Sequence, residues 1–171
     1  MLKNIESVEK LRGLARARTR DYETKTVHPK LMDEETAKGW SVLKKNKKSV
    51  RLKRAKPAWK SLEDRVWSLL YRMNFSEMSA DGGATIVTVA KEPEGPESQI
   101  DVVAIDHEIV LAVECKASEK PSKRSQFQEE LSRLSVLRDS LIRAVKEQYP
   151  TATKRQTVLA FFLSNAILSD T

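Results

Sequence analysis

Residues 99–116, QIDVVAIDHEIVLAVECK, decide the fold that this sequence predicts. Residues 99–106 and 109–116 are rich in valine and isoleucine, a composition typical of β-strands. The polar pair His107–Glu108 between them fits a two-residue turn. The stretch therefore predicts two antiparallel strands joined as a hairpin.

The register of this hairpin brings charged side chains together. If Asp106 pairs with Ile109, counting back along both strands places Asp101 opposite Glu114. Lys116 lies two residues from Glu114 and so shares its face of the strand. Two carboxylates with Cβ atoms about 5 Å apart repel each other unless a proton or a cation lies between them. A divalent metal ion is the natural occupant.

The chemistry expected of these residues is phosphodiester hydrolysis. Oxygen ligands from Asp101 and Glu114 suit Mg²⁺, with Mn²⁺ as a substitute, and the absence of neighbouring His and Cys ligands disfavours zinc. Such a metal lowers the pKa of a bound water, while Lys116 can orient that water and offset developing negative charge. The alternative is a half-exposed sheet without metal, because alternating charges are normal on a solvated face.

Periodicity around the hairpin predicts the other elements of an α/β domain. Residues 57–74 carry an apolar stripe at helical spacing, and residues 85–90 form a β-branched run. Residues 122–148 fit a long amphipathic helix. Residues 156–163 are almost wholly apolar, which is typical of a strand in the middle of a sheet covered on both faces. The expected order is helix, three strands, helix, strand, with residues 57–171 as the core.

The first 56 residues are expected to form a helical segment and a basic arm. Apolar residues between Ile5 and Ala15 recur at helical spacing. The chain carries a formal net charge of +7, but residues 44–60 alone hold nine positive charges and no acid. This arm is predicted to bind nucleic-acid phosphates, with a solvated linker, a membrane-surface patch and a localisation signal as alternatives. The nine are Lys44, Lys45, Lys47, Lys48, Arg51, Lys53, Arg54, Lys56 and Lys60.

Composition excludes several classes of protein. A length of 171 residues suits one packed domain with an appendage. The single cysteine, Cys115, rules out an internal disulfide and a cysteine-cluster zinc site, and fits a reducing compartment. There is no apolar run of about 18 residues and no secretory signal, so we expect a soluble, cytoplasmic protein with no membrane partner.

The hairpin motif resembles that of a known family. Ile100-Asp101 followed by Glu114-Cys115-Lys116 is similar to the signature of the PD-(D/E)xK nuclease superfamily, which has the restriction-endonuclease-like fold. Ile100 replaces the usual proline. Residues 62–75 resemble the leading helix of Mrr-type restriction enzymes and archaeal Holliday-junction resolvases. The chain is also similar to the leading part of larger bacterial proteins of the DGQHR type, although that motif is not among these residues.

The resemblance implies a Mg²⁺-dependent DNA endonuclease in restriction, defence or repair, with a central mixed sheet. Asp101, Glu114 and the backbone carbonyl of Cys115 would bind the metal. Lys116 would handle the attacking water, and Glu63 would assist through a water or a second metal. Many members act as two-fold dimers, so a homodimer is an expected assembly, and relatives continue beyond the last strand, which implies a longer polypeptide.

Two alternatives stay open at this level. The first is a protein that keeps the nuclease fold without cleaving, as a nucleic-acid-binding or assembly module of a larger protein. The second concerns single residues: Glu63 and Asp64 follow Ser61 and could merely complement the start of a helix. Likewise, Gln126 and Gln128 lie where some relatives place a site glutamine, but the local pattern favours a capping box.

Overall fold

The chain contains both helices and strands in the computed structural model, which describes residues 2–87, 97–123, 127–150 and 155–167. In chain order the elements are β1 (Leu2–Lys3), β2 (Ile5–Ser7), α1 (Arg12–Arg18), β3 (Tyr22–Val27), a 3₁₀ turn (Pro29–Leu31), α2 (Met32–Ala37), β4 (Ser41–Lys45), β5 (Val50–Ala55), α3 (Ala58–Arg72), β6 (Glu77–Ser79), β7 (Ala84–Val87), β8 (Glu97–Ile100), β9 (Val102–Ile105), β10 (Ile109–Lys123), α4 (Phe127–Gln148) and β11 (Gln156–Ile167).

The strands form one larger and two smaller sheets. The larger sheet has five strands in the order β11-β10-β9-β6-β2, with β10 and β11 parallel and the other pairs antiparallel. The smaller sheets have the orders β1-β7-β8 and β3-β5-β4. The described residues therefore form a mixed α/β fold, which confirms the predicted class at this level.

The predicted hairpin register is confirmed. Val110 pairs with Ile105 and Val113 pairs with Val102, as a pair of Asp106 with Ile109 requires. The turn closes through the Asp106 N–H, which donates to the Ile109 carbonyl at 3.0 Å. The Asp106 carboxylate accepts the N–H groups of Glu108 and Ile109, both at 2.8 Å, a local side-chain turn that pins the register.

The hairpin is apolar on both faces because a helix covers each side. Trp67 of α3 is fully buried in a cluster with Val113 and Cys115. Leu141 of α4 is fully buried in a second cluster with Val110. The two predicted helices are thus confirmed as α3 and α4, except that residues 122–123 of the second prediction belong to β10 and residues 124–126 lie outside the described residues. Among the described helices, none is both long and apolar enough to cross a bilayer.

The predicted strand over residues 99–106 is broken at Asp101. Residues before it form β8 in one sheet, and residues after it form β9 in another. Gly83, with a φ of +77°, faces this break so closely that a Cβ atom would lie 2.5 Å from the Ile100 carbonyl oxygen. Only glycine fits such an approach with a positive φ. Residues 85–87 of the neighbouring predicted strand are confirmed as part of β7, and residues 88–90 lie outside the described residues.

The prediction that residues 156–163 form a central strand is wrong. β11 lies at an edge of the five-stranded sheet and pairs with β10 within the described residues. Its residues are half-buried or exposed. The strand is apolar because α3 and α4 both contact it, which covers its faces without adding a neighbouring strand.

The N-terminal expectation of helix is wrong for residues 2–7. They form β1 and β2, which pair with β7 and β6 of the predicted core. Asn4, with a φ of +62°, separates the two strands, and its side-chain amide donates to the backbone carbonyls of Asp81 and Gly83. Within the described part of the first 56 residues, helix is confined to α1, the 3₁₀ turn and α2. The division after residue 56 stays a prediction, and these strand pairings cross it.

The helical basic arm is also corrected by the structure. Residues 44–55 are the end of β4, a tight turn and β5, within the three-stranded sheet β3-β5-β4. Val50 and Leu52 are buried against Trp40, so one face of this sheet has its own small core. Arg51 and Lys53 alternate with these apolar residues, which is the pattern of a half-buried strand.

Candidate active site

Asp101 occupies the break between β8 and β9. Its Oδ2 accepts the backbone N–H of Cys115 at 2.7 Å. The N–H and C=O groups of one strand residue point to the same side, as the paired hydrogen bonds of antiparallel sheets show. The carbonyl of Cys115 therefore faces the side of β10 on which Asp101 lies, where a third oxygen ligand was predicted.

Glu114 is the buried acid of the site, with a side chain that is 3% exposed. Its Oε2 accepts from Lys116 Nζ at 3.1 Å and lies 3.5 Å from Arg133 Nη2. Its Oε1 is buried and has no hydrogen-bond partner among the described residues. Burial, and then the Asp101 carboxylate, raise the pKa of Glu114. A buried acceptor without a partner is costly, so this oxygen is suited to a proton or a cation.

Glu63 extends from α3 toward the same acids. Its side chain is 11% exposed, and Oε1 lies 3.3 Å from Nη1 of Arg18. Burial raises the pKa of Glu63, and the charge of Asp101 raises it further, while Arg18 opposes both. The structure thus brings Glu63 into electrostatic contact with Asp101. The alternative role at the helix start is not favoured, because the first turn of α3 contains no acid.

Cys115 itself is a buried core residue, as its place on the apolar face of the strand predicts. Burial, followed by the charges of Asp101, Glu63 and Glu114, raises the pKa of the Cys115 thiol to about 12. In the absence of a metal ion the thiol is therefore protonated near neutral pH. All three carboxylates are close enough to this strand position for their charges to raise the pKa of the thiol.

A buried ion cluster behind Glu63 was not predicted from the sequence. Arg18 Nη1 donates to Asp64 Oδ1 at 2.7 Å, and Lys56 Nζ lies 2.6 Å from Asp64 Oδ2. Lys56 also donates to backbone carbonyls of Ala17, Arg18 and Arg20. The arginine side chain is 3% exposed and that of Lys56 is 5% exposed. Lys56 was predicted to bind nucleic acid, but its ammonium is buried and paired with Asp64. That prediction is wrong for this residue.

The other predicted basic residues lie on or near the β4–β5 hairpin. Lys44, Lys45, Lys47 and Lys48 are exposed. The turn between the strands is closed by the Asn46 N–H and the Ser49 carbonyl. These four lysines have no ion pair among the described residues, so their charges face solvent.

Four cations of β5 and α3 have local partners among the described residues. Arg54 binds Glu23 at 2.7 Å and lies over the ring of Trp40. Arg51 donates to the Thr24 hydroxyl at 3.4 Å. Lys60 lies over the ring of Trp59, 5.7 Å from its centroid. Lys53 likewise lies 5.7 Å from the centroid of Tyr22. The ring contacts leave the charges of Lys53 and Lys60 unneutralised.

Arg133 of α4 is a site residue that the sequence analysis missed. Its guanidinium is beside Glu114, and its side chain is 59% exposed, so it faces both the acid and solvent. Arg133 lies five residues beyond Gln128 in α4, so the two side chains project from different faces of the helix. Gln128 is exposed, and its backbone carbonyl accepts the Ser132 hydroxyl. Gln126 lies outside the described residues, together with most of the predicted capping box.

The residues present fit a Mg²⁺ ion in part. Within the described ranges, no group of three or more His, Cys, Asp or Glu side chains is placed to hold a metal. The predicted donor set, however, is two carboxylates and a backbone carbonyl, and the partnerless Oε1 of Glu114 belongs to it. Hard oxygen donors with few protein ligands suit Mg²⁺, which keeps several waters.

The raised pKa values of Glu63 and Glu114 make the stability of the protein depend on pH. Between the ordinary glutamate pKa of 4.5 and the raised values, the folded protein holds protons that the unfolded chain has released. We therefore expect Glu63 and Glu114 to make the protein less stable as pH rises through that window. Thermal unfolding from pH 4.5 upward, compared between the parent and Glu114→Gln, measures this fall. An identical pH profile for both proteins would contradict it.

Comparison of the chain with protein-family models, with curated protein sequences and with solved structures finds no match in any of the three. What the site can do is therefore inferred from the geometry of its own residues. Those residues are Asp101 on the Cys115 N–H, Glu114 with its lysine partner and a pKa raised by Asp101, and a third acid from α3.

Proposed function

We propose that this protein is a metal-dependent nuclease of the PD-(D/E)xK type, which hydrolyses DNA phosphodiester bonds in bacterial restriction, defence or repair. The observation that carries this proposal is the hydrogen bond from the Cys115 N–H to Asp101 at the end of the hairpin, where the charge of Asp101 also raises the pKa of Glu114. A restriction-endonuclease-like core and a cytoplasmic location are parts of the same proposal. The order of α3, the strands, α4 and β11 supports it.

Asp101, Glu114 and the carbonyl of Cys115 would hold Mg²⁺, with Mn²⁺ as a substitute. When bound, the ion would acidify a water and stabilise negative charge on the phosphate. Hydrogen bonds orient the two acids that would bind the ion. Asp101 accepts the Cys115 N–H, and Glu114 accepts the Lys116 ammonium. The partnerless Oε1 of Glu114 supports this assignment.

Lys116 is proposed to act on the attacking water. Its ammonium reaches Glu114 at one side, and its side chain is 24% exposed, so it also faces the space where DNA would enter. A cation at this place orients the water and offsets the charge that develops in the transition state. Glu63 is proposed to accept a proton or to order a second water, helped by its raised pKa.

The direct test is incubation of the purified protein with plasmid DNA and Mg²⁺. We expect Lys116→Ala to lose cleavage by about 10²-fold or more, because the lysine acts mainly in the transition state. Binding of Mn²⁺, followed by calorimetry, should be retained because both acids remain. Lys120→Ala, further along the same strand, is the matched control. Cleavage by Lys116→Ala at the parent rate would refute the role of the lysine.

DNA is proposed to approach over the β4–β5 hairpin. Its exposed lysines can neutralise backbone phosphates and release counterions. We expect Lys47→Gln and Lys48→Gln each to flatten the log–log salt dependence of duplex binding by about 0.9. The loss should be uniform across DNA sequences, since phosphate contacts carry no direct sequence information. Lys146→Gln, exposed on α4, is the control, and equal slopes for all variants would argue against this surface.

A non-cleaving nucleic-acid-binding module remains the second candidate. It is favoured by the charge balance of the site, where Lys116 and Arg133 neutralise Glu114 and Arg18 neutralises Glu63. Such a site is electrostatically complete without a metal. The two candidates differ in one measurement: the module binds DNA with the salt dependence above but takes up no Mn²⁺ and leaves plasmid intact.

A further inference from the structure

A groove of about 840 Å³ lies between α1, α3 and β11. Its lining includes the apolar side chains of Leu62, Val66 and Leu69 from α3, with Phe162 and Leu163 from β11. Leu69 is 42% exposed, which is unusual for a leucine with so many apolar neighbours. The apolar floor therefore lies open to solvent along part of its length.

Arginines surround this floor. Arg16, Arg20, Arg65 and Arg72 line the groove and are exposed. The first three have no ion pair among the described residues, and Arg72 donates to the Ser68 carbonyl on its own helix. Such a rim attracts an anionic partner.

The acids at the groove do not balance these four arginines. Asp64 is already bound by Arg18 and Lys56, and Asp21 contributes one negative charge. The groove is therefore positively charged, and arginine is the side chain best suited to bind phosphate through two parallel hydrogen bonds.

The groove adjoins the proposed catalytic hairpin. β11 runs parallel to β10, with Phe162 next to Cys115 and Leu163 next to Lys116. Neighbouring strands lie about 4.8 Å apart, so the floor begins one strand away from the catalytic lysine. Phe162 faces α3 together with Cys115, whereas Leu163 shares the face of Lys116, so a polymer bound in the groove would reach the proposed site by passing the edge strand β11.

We infer that this groove binds an unpaired nucleic-acid strand, with bases on the apolar floor and phosphates on the arginine rim. A duplex keeps its bases paired and stacked inside, so it cannot place them on such a floor, whereas a single strand can. Resting on the proposed nuclease function, this makes the substrate a DNA with a single-stranded segment beside the cleaved phosphate. A fully paired duplex would occupy the site without filling the groove.

The test measures binding without cleavage, by fluorescence anisotropy of the full chain in EDTA. The probes are a labelled single strand and the blunt duplex of the same sequence. Arg65→Gln and Leu69→Gln are both at exposed positions, so the fold should survive, and circular dichroism checks it. Arg138→Gln, exposed on α4 away from the groove, is the control.

We expect each groove variant to weaken single-strand binding by about 5-fold to 10-fold, in line with one lost phosphate or base contact. Duplex binding and the control variant should stay unchanged. Arg65→Gln should also flatten the salt dependence for the single strand by about 0.7.

Three results would overturn the inference. Equal losses of affinity for single strand and duplex would indicate a general basic surface. Unchanged affinity in both groove variants would show that the groove does not bind nucleic acid. Displacement of the oligonucleotide by an acidic peptide of Glu and Leu that binds more tightly would assign the groove to a protein partner. If groove-dependent binding is seen but plasmid is never cut, the nuclease proposal fails and strand binding stands. If cutting is seen without groove dependence, only this inference fails.

Discussion

Asp101→Asn and Glu114→Gln are each expected to abolish Mg²⁺-dependent DNA cleavage while the fold survives. Each change removes one of the two carboxylates proposed to hold the metal, and the loss should exceed the roughly 10²–10³-fold that follows loss of a single electrostatic contact. Asparagine can still accept the Cys115 N–H through its side-chain oxygen, so the local structure is kept. Plasmid nicking and linearisation measure the effect.

The same variants should not lose stability in the absence of metal. Removing either acid relieves the repulsion that helps to raise the pKa of Glu114, so the free energy of unfolding should hold or rise. Urea unfolding in EDTA measures it. Glu108→Gln, exposed in the hairpin turn, is the matched control and should leave cleavage unaltered. Full cleavage by Asp101→Asn or Glu114→Gln would eliminate the proposed metal site.

Arg18→Met is expected to cause the largest loss of stability, about 3–5 kcal/mol, because it leaves two buried carboxylates without their shared cation. Those carboxylates are Glu63 and Asp64, both buried with the arginine. The arginine also lies over the ring of Trp67, 5.1 Å from its centroid. Urea unfolding of the variant measures the loss.

A neighbouring substitution separates charge burial from a general effect on α1. Arg16→Met, exposed two residues earlier, should change stability by no more than about 0.5 kcal/mol. Adding Glu63→Gln to Arg18→Met should restore part of the loss, because among the described residues Glu63 is the acid left without an ion pair, whereas Asp64 keeps Lys56. Equal stability of Arg18→Met and Arg16→Met would show that the cluster contributes nothing.

The β9–β10 hairpin could be predicted because short-range chemistry determines it. Asp106 both closes the turn and specifies which residues pair, so the register from Val110–Ile105 to Val113–Val102 follows from local sequence. The ion cluster could not be predicted in this way. Arg18 lies among several arginines that look alike in sequence, and it meets Asp64 from 46 residues away.

The errors in the sequence analysis have equally local causes. The density of lysines in residues 44–55 concealed the alternation of Val50 and Leu52 with Arg51 and Lys53, which is a strand signal. The apolar run of β11 showed that its faces are covered, but a side-chain pattern does not report whether a strand has one neighbour or two. Strand burial and strand position are therefore separate questions.

The glycine at the break between β8 and β9 makes the placement of Asp101 depend on a residue that has no side chain. Any side chain at position 83 would meet the carbonyl oxygens of Ile100 and Asp101, and the Asn4 side chain donates to the Gly83 carbonyl. The position of the Asp101 carboxylate therefore depends on a turn and on a residue near the amino terminus. Under the proposed function, a substitution at Gly83 or Asn4 would act on cleavage through backbone geometry alone, without touching any residue of the proposed metal site.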